Sequence, residues 1–194
     1  MNLHQIMMIV VLCIFYIAYF TKMFHQKKKG ITTSVLGKGN KDKRTLLVEQ
    51  VLRFSTSIIL PVELISIALN TRGFQSKTFT STGIVLACLG VFIFIIAMVT
   101  MRDSWRAGIP ENQKTRLVKK GIYRLSRNPA FLGFDLMYIG TFIAFANIVH
   151  FIFFLLAVGM MHLQILEEEK YLYSVFGEEY MKYKKNTARY FIFF

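Results

Sequence analysis

The sequence predicts an all-α integral membrane protein: five transmembrane helices with a tight hairpin of the last two, and a cytoplasmic C-terminal helix. Three observations carry that reading. First, 54% of the 194 residues are hydrophobic, yet the net charge is +13. Second, the apolar residues collect into five runs, each close to the roughly 20 residues a helix needs to cross a bilayer core. Third, of the 24 Lys and Arg only Arg53 falls inside a run. Basic residues that flank apolar spans, instead of sharing a soluble face, argue for membrane lipids as neighbours and against nucleic acid.

The runs justify themselves in order. Residues 3–21 and 83–101 contain no Asp, Glu, Lys or Arg, residues 130–148 contain Asp135 alone, and residues 149–166 contain only His150 and His162 as titratable groups. Residues 46–70 are less apolar, with Glu49 and Arg53 near the start and Glu63 just after Pro61. The first run has no Lys or Arg before it and no small-residue cleavage site after Phe20, so it reads as a retained anchor, not a signal peptide.

Charge then orients the spans. Lys22, Lys27, Lys28, Lys29, Lys38, Lys41, Lys43 and Arg44 lie between the first two runs, and Arg102, Arg106, Lys114, Arg116, Lys119, Lys120, Arg124 and Arg127 between the third and fourth. Lys170, Lys182, Lys184, Lys185 and Arg189 follow the fifth, whereas the opposite side offers Arg72 and Lys77. Positive charge favours the cytoplasm, which puts the N-terminus outside and the C-terminus inside. A short five-span chain fits a prokaryotic inner membrane.

The fourth and fifth runs meet near Asn147 with almost no loop. Nineteen helical residues rise roughly 28 Å and a similar number return, so Glu167, Glu168 and Glu169 come back to the level of Arg127 and Asn128. Helical character then reaches Phe176. Gly177 suits the left-handed position that ends a helix, and residues 178–185 form a short amphipathic helix with Tyr180 and Tyr183 at the interface. The tail, residues 190–194, is too short to span and is expected to dip back into the membrane. Residues 1–102 form an N-terminal unit of three spans with a basic cytoplasmic loop; residues 103–194 carry the cofactor-binding region, the last two spans and the tail.

Chemistry concentrates in residues 117–133, LVKKGIYRLSRNPAFLG. Asn128-Pro129 reads as a helix start, Asn as the cap and Pro at the first helical position. The exposed N–H groups of that helix, beside Arg124 and Arg127, form a site suited to an anion. Asp135 is costly in lipid and is a functional candidate, or pairs with a hydroxyl or a loop arginine. Glu63 is a weaker candidate of the same kind, since a place near the outer surface is open to it, and Glu167 is expected as a solvated helix end. His150 and His162 lack metal-ligand spacing and are expected at interface or packing positions; no metal is expected. Cys13 and Cys88 read as small packed hydrophobes, and Gly37-Lys38-Gly39 as a flexible linker.

Leu117-Val118-x-x-Gly121-x-Tyr123-Arg124-x-x-Arg127-Asn128-Pro129-x-x-x-Gly133 resembles the signature of the isoprenylcysteine carboxyl methyltransferase and phospholipid methyltransferase superfamily. So does Glu168-Glu169-x-x-Leu172-x-x-x-Phe176-Gly177-x-x-Tyr180-x-x-Tyr183, ending at Arg189, and Ser104-Trp105-Arg106 ahead of both is similar to bacterial members. The resemblance implies an integral-membrane enzyme that uses S-adenosylmethionine (SAM) beneath the last two spans to methylate a lipophilic acceptor: a lipid, a small molecule or an isoprenylcysteine-like carboxylate. Carried over by position, Leu117, Val118, Gly121, Tyr123, Asn128, Pro129, Phe131, Glu168 and Glu169 would hold the cofactor. Arg127, Glu168 and Arg189 would be catalytic, Arg189 pairing with an anionic acceptor or a glutamate. Prenylcysteine enzymes usually have His where Asn128 stands, Tyr where Phe131 stands and Arg where Gln164 stands, which leaves the acceptor open. The competing readings are an NADPH-dependent membrane reductase similar to sterol reductases, and a non-catalytic module whose basic loops bind anionic lipid.

Overall fold

The protein, described here from a computed structural model covering all residues but 72, 74–75, 111–115 and 192–194, is helical throughout. Arg72, Lys114 and the end of the tail, for which the sequence carries expectations, lie outside the described residues. The elements are α1 (Leu3–Lys28), α2 (Lys43–Ala68), α3 (Lys77–Met101), α4 (Pro129–Ala144) and α5 (Ile148–Asn186), with single 3-10 turns at Arg102–Ser104 and Gly121–Arg124. Among the described residues there is no strand, only an isolated parallel bridge between Ser34 and Ala107.

Four of these helices, α1, α2, α3 and α5, are long and apolar enough to cross a membrane. The fourth apolar run departs from expectation: α4 has 16 residues and stops at Ala144. At 1.5 Å per residue that is about 24 Å, short of a hydrocarbon core of about 30 Å. Phe145 and Ala146, expected in helix, instead make the turn, and Asn147 caps α5 by accepting from the His150 amide at 2.9 Å. The amphipathic C-terminal segment is continuous with α5 except at Gly177, where φ +48° and ψ −125° break the helix.

α4 packs most extensively against α3, and glycine is the reason. A Cβ at Gly83 would lie 2.5 Å from the Gly140 carbonyl, and one at Gly90 2.6 Å from that of Gly133. Both helices therefore place glycines seven residues apart on facing stripes, and their backbones touch. In lipid, where apolar side chains gain little by leaving the solvent, such close approach is what holds two apolar helices together. Outward-facing Ile6, Val10, Ile14, Ile17 and Phe20 of α1 remain exposed, as lipid contact requires. Cys13 and Cys88 are exposed too, not packed in the core as expected.

The loop between α1 and α2 is anchored, contrary to the linker reading. Glu49 of α2 is fully buried, accepting from Lys41 Nζ at 2.6 Å, the Gly37 amide at 2.7 Å and the Ile109 amide at 2.8 Å. Gly37 adopts φ +65°, which glycine supplies without a Cβ clash. Val35 and Ala107 exchange backbone bonds with the opposite segment, the Val35 amide donating to Ala107 O and the Ala107 amide to Thr33 O, both at 2.9 Å. Buried Gln26 donates to the Trp105 carbonyl at 3.1 Å. One carboxylate and one amide thus dock the basic loop onto the chain leaving α3.

One acidic residue departs from its expected setting, and two more are buried. Glu167 is buried, not solvated, accepting from Thr45 Oγ1 at 3.1 Å, Arg44 Nε at 3.2 Å and Lys170 Nζ at 2.8 Å, which ties α2 to α5. Glu63 is fully buried against the other helices, with both oxygens unpartnered among the described residues. Asp135 is buried, and its Oδ1 meets neither a hydroxyl nor an arginine.

Candidate functional site

The docked loop, the chain after α3, and the ends of α4 and α5 enclose a cavity of about 380 Å³, within the range typical of small-molecule sites. Its walls come from both halves of the sequence. Leu117, Val118 and Tyr123 line it from the segment before α4, Arg127, Asn128 and Phe131 from the start of α4, and Gln164 and Glu168 from α5. Tyr16 and Phe20 of α1, Leu52 and Leu60 of α2, and Phe134, Tyr138 and Met161 complete an apolar end. Four residues along α5, roughly 6 Å, separate Glu168 from Gln164, and Met161 follows toward the apolar end.

Each polar group owes its place to local structure. Gly121 adopts φ +59° with a Cβ position only 3.1 Å from Thr100, so glycine is what lets the chain turn beneath α3 and present Tyr123. The Tyr123 carbonyl accepts from Tyr183 Oη at 2.6 Å, fastening the C-terminal helix under the site. Burial, with the Tyr183 and Glu168 groups nearby, raises the Tyr123 hydroxyl well above its ordinary value. Pro129 occupies the first helical position as expected. Asn128, however, does not cap through its side chain: its Nδ2 donates to Glu169 Oε1 and to the Arg189 carbonyl, both at 3.2 Å.

Basic and acidic clusters from the two ends of the region do meet, and Glu169 is the centre. It accepts from Arg127 Nη2 at 3.0 Å and from Arg189 Nη2 at 3.1 Å. Arg127 also donates through Nη1 to the Thr187 and Lys184 carbonyls, and its amide donates to Ala188 O at 2.8 Å. Burial alone would raise the Glu169 carboxyl, but Arg189 and Arg127 outweigh it and hold the group below the usual carboxylate range. Arg189 is thus committed to a glutamate, and it strings the tail across the start of α4.

Glu168, the next residue, is in a different setting. It projects into the cavity, accepts from Gln164 Nε2 at 3.1 Å, and has no arginine or lysine within salt-bridge distance among the described residues. Lying beyond the apolar part of α5, it has its carboxyl pushed up to about 7 by burial, against the opposing Gln164 bond. Adjacent helical positions point about 100° apart, which is why one glutamate clamps and its neighbour opens into a cavity.

Of the residues named from the sequence, Leu117, Val118, Tyr123, Arg127, Asn128, Phe131 and Glu168 line the cavity; Gly121, Pro129, Glu169 and Arg189 do not. Trp105, Arg116 and Tyr171 line it without having been singled out as site residues. Trp105 lay within a quoted motif; Arg116 had no signal beyond its place before Leu117. His162 pairs through Nδ1 with Tyr190 Oη at 2.9 Å, and His150 Nδ1 lies 3.2 Å from the Phe145 carbonyl. Among the described residues no cluster of three metal-ligating side chains exists.

Comparison with known proteins converges on the same region. The family model for phospholipid methyltransferase matches residues 78–179. The chain is 33% identical over 116 residues to the protein-S-isoprenylcysteine O-methyltransferase of Saccharomyces cerevisiae, covering 58% of this chain and 48% of that one. The human protein of that name is 31% identical, over 58% of this chain and 41% of its own length. Protein-S-isoprenylcysteine O-methyltransferase A of Arabidopsis thaliana is 27% identical over 85% of each chain. The chain spans about half the length of the yeast relatives it matches.

Proposed function

Because the chain belongs to the phospholipid methyltransferase family, we propose that it is an integral-membrane methyltransferase that uses SAM to methylate a lipophilic, membrane-partitioning acceptor. The observation that carries this reading is the single cavity in which the family-motif residues Leu117, Tyr123, Asn128 and Glu168 meet the apolar wall of Tyr16, Leu60 and Phe134. A water-soluble acceptor has no use for such a wall. The relatives named above are eukaryotic and lend nothing to a prokaryotic inner membrane. The basic loops favour a cytoplasmic site with the N-terminus outside. Docking of α4 on α3 favours α4 and α5 as a hairpin, with α4 crossing most of the bilayer.

The residues present fit the cofactor. Apolar and aromatic walls suit a flat base, the Glu168 carboxylate suits an ammonium or ribose hydroxyls, and the N-terminus of α4 favours a carboxylate. SAM, when bound, supplies an electrophilic methyl group on a sulfonium. The protein's share is positioning: Leu117, Val118 and Phe131 exclude water, and Glu168 orients the donor. Arg127, Glu169 and Arg189 act as a clamp that sets where α4 begins. Residues 1–102 would then serve the acceptor and residues 103–194 the cofactor.

Calorimetric titration of detergent-purified protein with S-adenosylhomocysteine tests this directly. Micromolar binding that is lost in Glu168→Ala is the expected result. No binding by folded protein refutes the reading and makes NADPH the next ligand to titrate.

A further inference from the structure

Gln164 is completely buried, yet only half of its amide is satisfied. Its Nε2 donates to Glu168 Oε1 at 3.1 Å, while its Oε1 has no partner among the described residues. The residue lines the cavity one helical turn from Glu168 toward the apolar end, between Glu168 and Met161. A buried carbonyl oxygen without a donor costs on the order of 1–3 kcal/mol, which a ligand that supplies the donor recovers. Resting on the methyltransferase reading above, we propose that Gln164 is the specificity-determining residue for the methyl acceptor, selecting a neutral group that carries an O–H or N–H and rejecting a carboxylate.

The argument is one of sign. The two oxygen groups one helical turn apart on this wall, Gln164 Oε1 and the Glu168 carboxylate, are both acceptors. An anionic carboxylate placed against Gln164 Oε1 would face that oxygen and the Glu168 carboxylate, while one of the two Gln164 N–H donors is already engaged by Glu168. Arg127, the cation whose position most suggests anion binding, is turned to Glu169 and two backbone carbonyls. Arg106 Nη1 is bonded to the Asp103 and Trp105 carbonyls. A hydroxyl or neutral amine instead gives its proton to Oε1 and keeps its lone pair for the methyl group. Transfer to such an acceptor forms an O–C or N–C bond, breaks the sulfonium S–CH3 bond and releases one proton, which the Glu168 carboxylate in the same cavity can take. Glutamine is suited to this selection: it is uncharged at every pH.

The test uses two probes with one tail, 4-octylphenol and 4-octylbenzoate, titrated at pH 7 into full-length protein saturated with S-adenosylhomocysteine in the same micelles. One recovered hydrogen bond predicts phenol binding about tenfold tighter than benzoate. In Gln164→Met, which keeps volume and removes the acceptor, the ratio is expected to fall to about one; in Gln164→Arg it is expected to invert. Because both probes are measured on each variant, any change in folding or cofactor affinity cancels from the ratio. Equal or tighter benzoate binding by the unmodified protein overturns the proposal, as does a ratio unmoved in both variants or failure of both probes to bind. Loss of S-adenosylhomocysteine binding in the unmodified protein would instead overturn the methyltransferase reading, so the two failures are distinguishable.

Discussion

Replacing Glu169 by Gln tests whether the tail is held across α4 by charge. The carboxylate accepts from Arg127 Nε and Nη2 at 3.1 and 3.0 Å, from Asn128 Nδ2 at 3.2 Å, and from Arg189 Nη2 at 3.1 Å. The Arg127 and Glu169 side chains are 8% and 6% exposed, so removing one charge leaves the other buried. Breaking such a pair costs about 3–5 kcal/mol. Arg127 keeps its carbonyl acceptors at Thr187 and Lys184, which favours the lower end. Arg189 is 33% exposed, and its pair adds no more than about 1 kcal/mol. A total of about 3–4 kcal/mol corresponds to two to three powers of ten in the equilibrium for lifting the tail. Hydrogen exchange reads this at the Arg127 amide, whose acceptor is Ala188 in that tail. Protection is expected to fall roughly a hundredfold or more. The pH dependence has a definite sign: the Glu169 carboxyl lies below its unfolded value of 4.5, so the clamp is present above that pH and is lost as pH falls through the folded value. Exchange at Arg127 within threefold of the unmodified protein at pH 7 would refute the argument.

Three further substitutions have definite expected outcomes. Glu168 lies above its unfolded value, 4.5 against about 7, so its contribution to stability is full below pH 4.5, declines as pH rises to about 7 and is flat beyond; Glu168→Gln is expected to remove that slope from melting curves, and an unchanged slope would contradict the burial. Gly133→Ala places a Cβ 2.8 Å from the Gly90 carbonyl and the Phe94 backbone, and about 1–3 kcal/mol of overpacking is expected as a lowered melting temperature. Gly159→Ala, with no atom within 4 Å of the added Cβ, is expected to be neutral or stabilising by up to about 1 kcal/mol; equal losses in the two variants would show that the α3–α4 glycine seam is not what holds these helices together.

What the sequence determined alone is whatever depends on local composition or on spacing along a single helix. Apolar length announced α1, α2, α3 and α5, because the bilayer demands roughly 20 apolar residues wherever a helix crosses it. The turn at Asn147 and the rise per residue are enough to bring Arg127 opposite the glutamates. Tertiary structure decided what depends on the far side of each contact. Nothing local distinguishes Glu167, Glu168 and Glu169, three consecutive carboxylates; their separation into a tie to α2, a cavity wall and a clamp arises from what lies about 100° apart around α5. The end of α4 leaves no mark in the sequence because Phe145 and Ala146 are as apolar as the helix they end. The loop holding Gly37 looked like a linker because Glu49, its anchor, lies in the next helix. Gln164 showed in the sequence only as a departure from a motif. Burial, a bond to Glu168 and an orphaned oxygen make it a candidate for reading the acceptor, and all three are properties of the cavity, not of the chain.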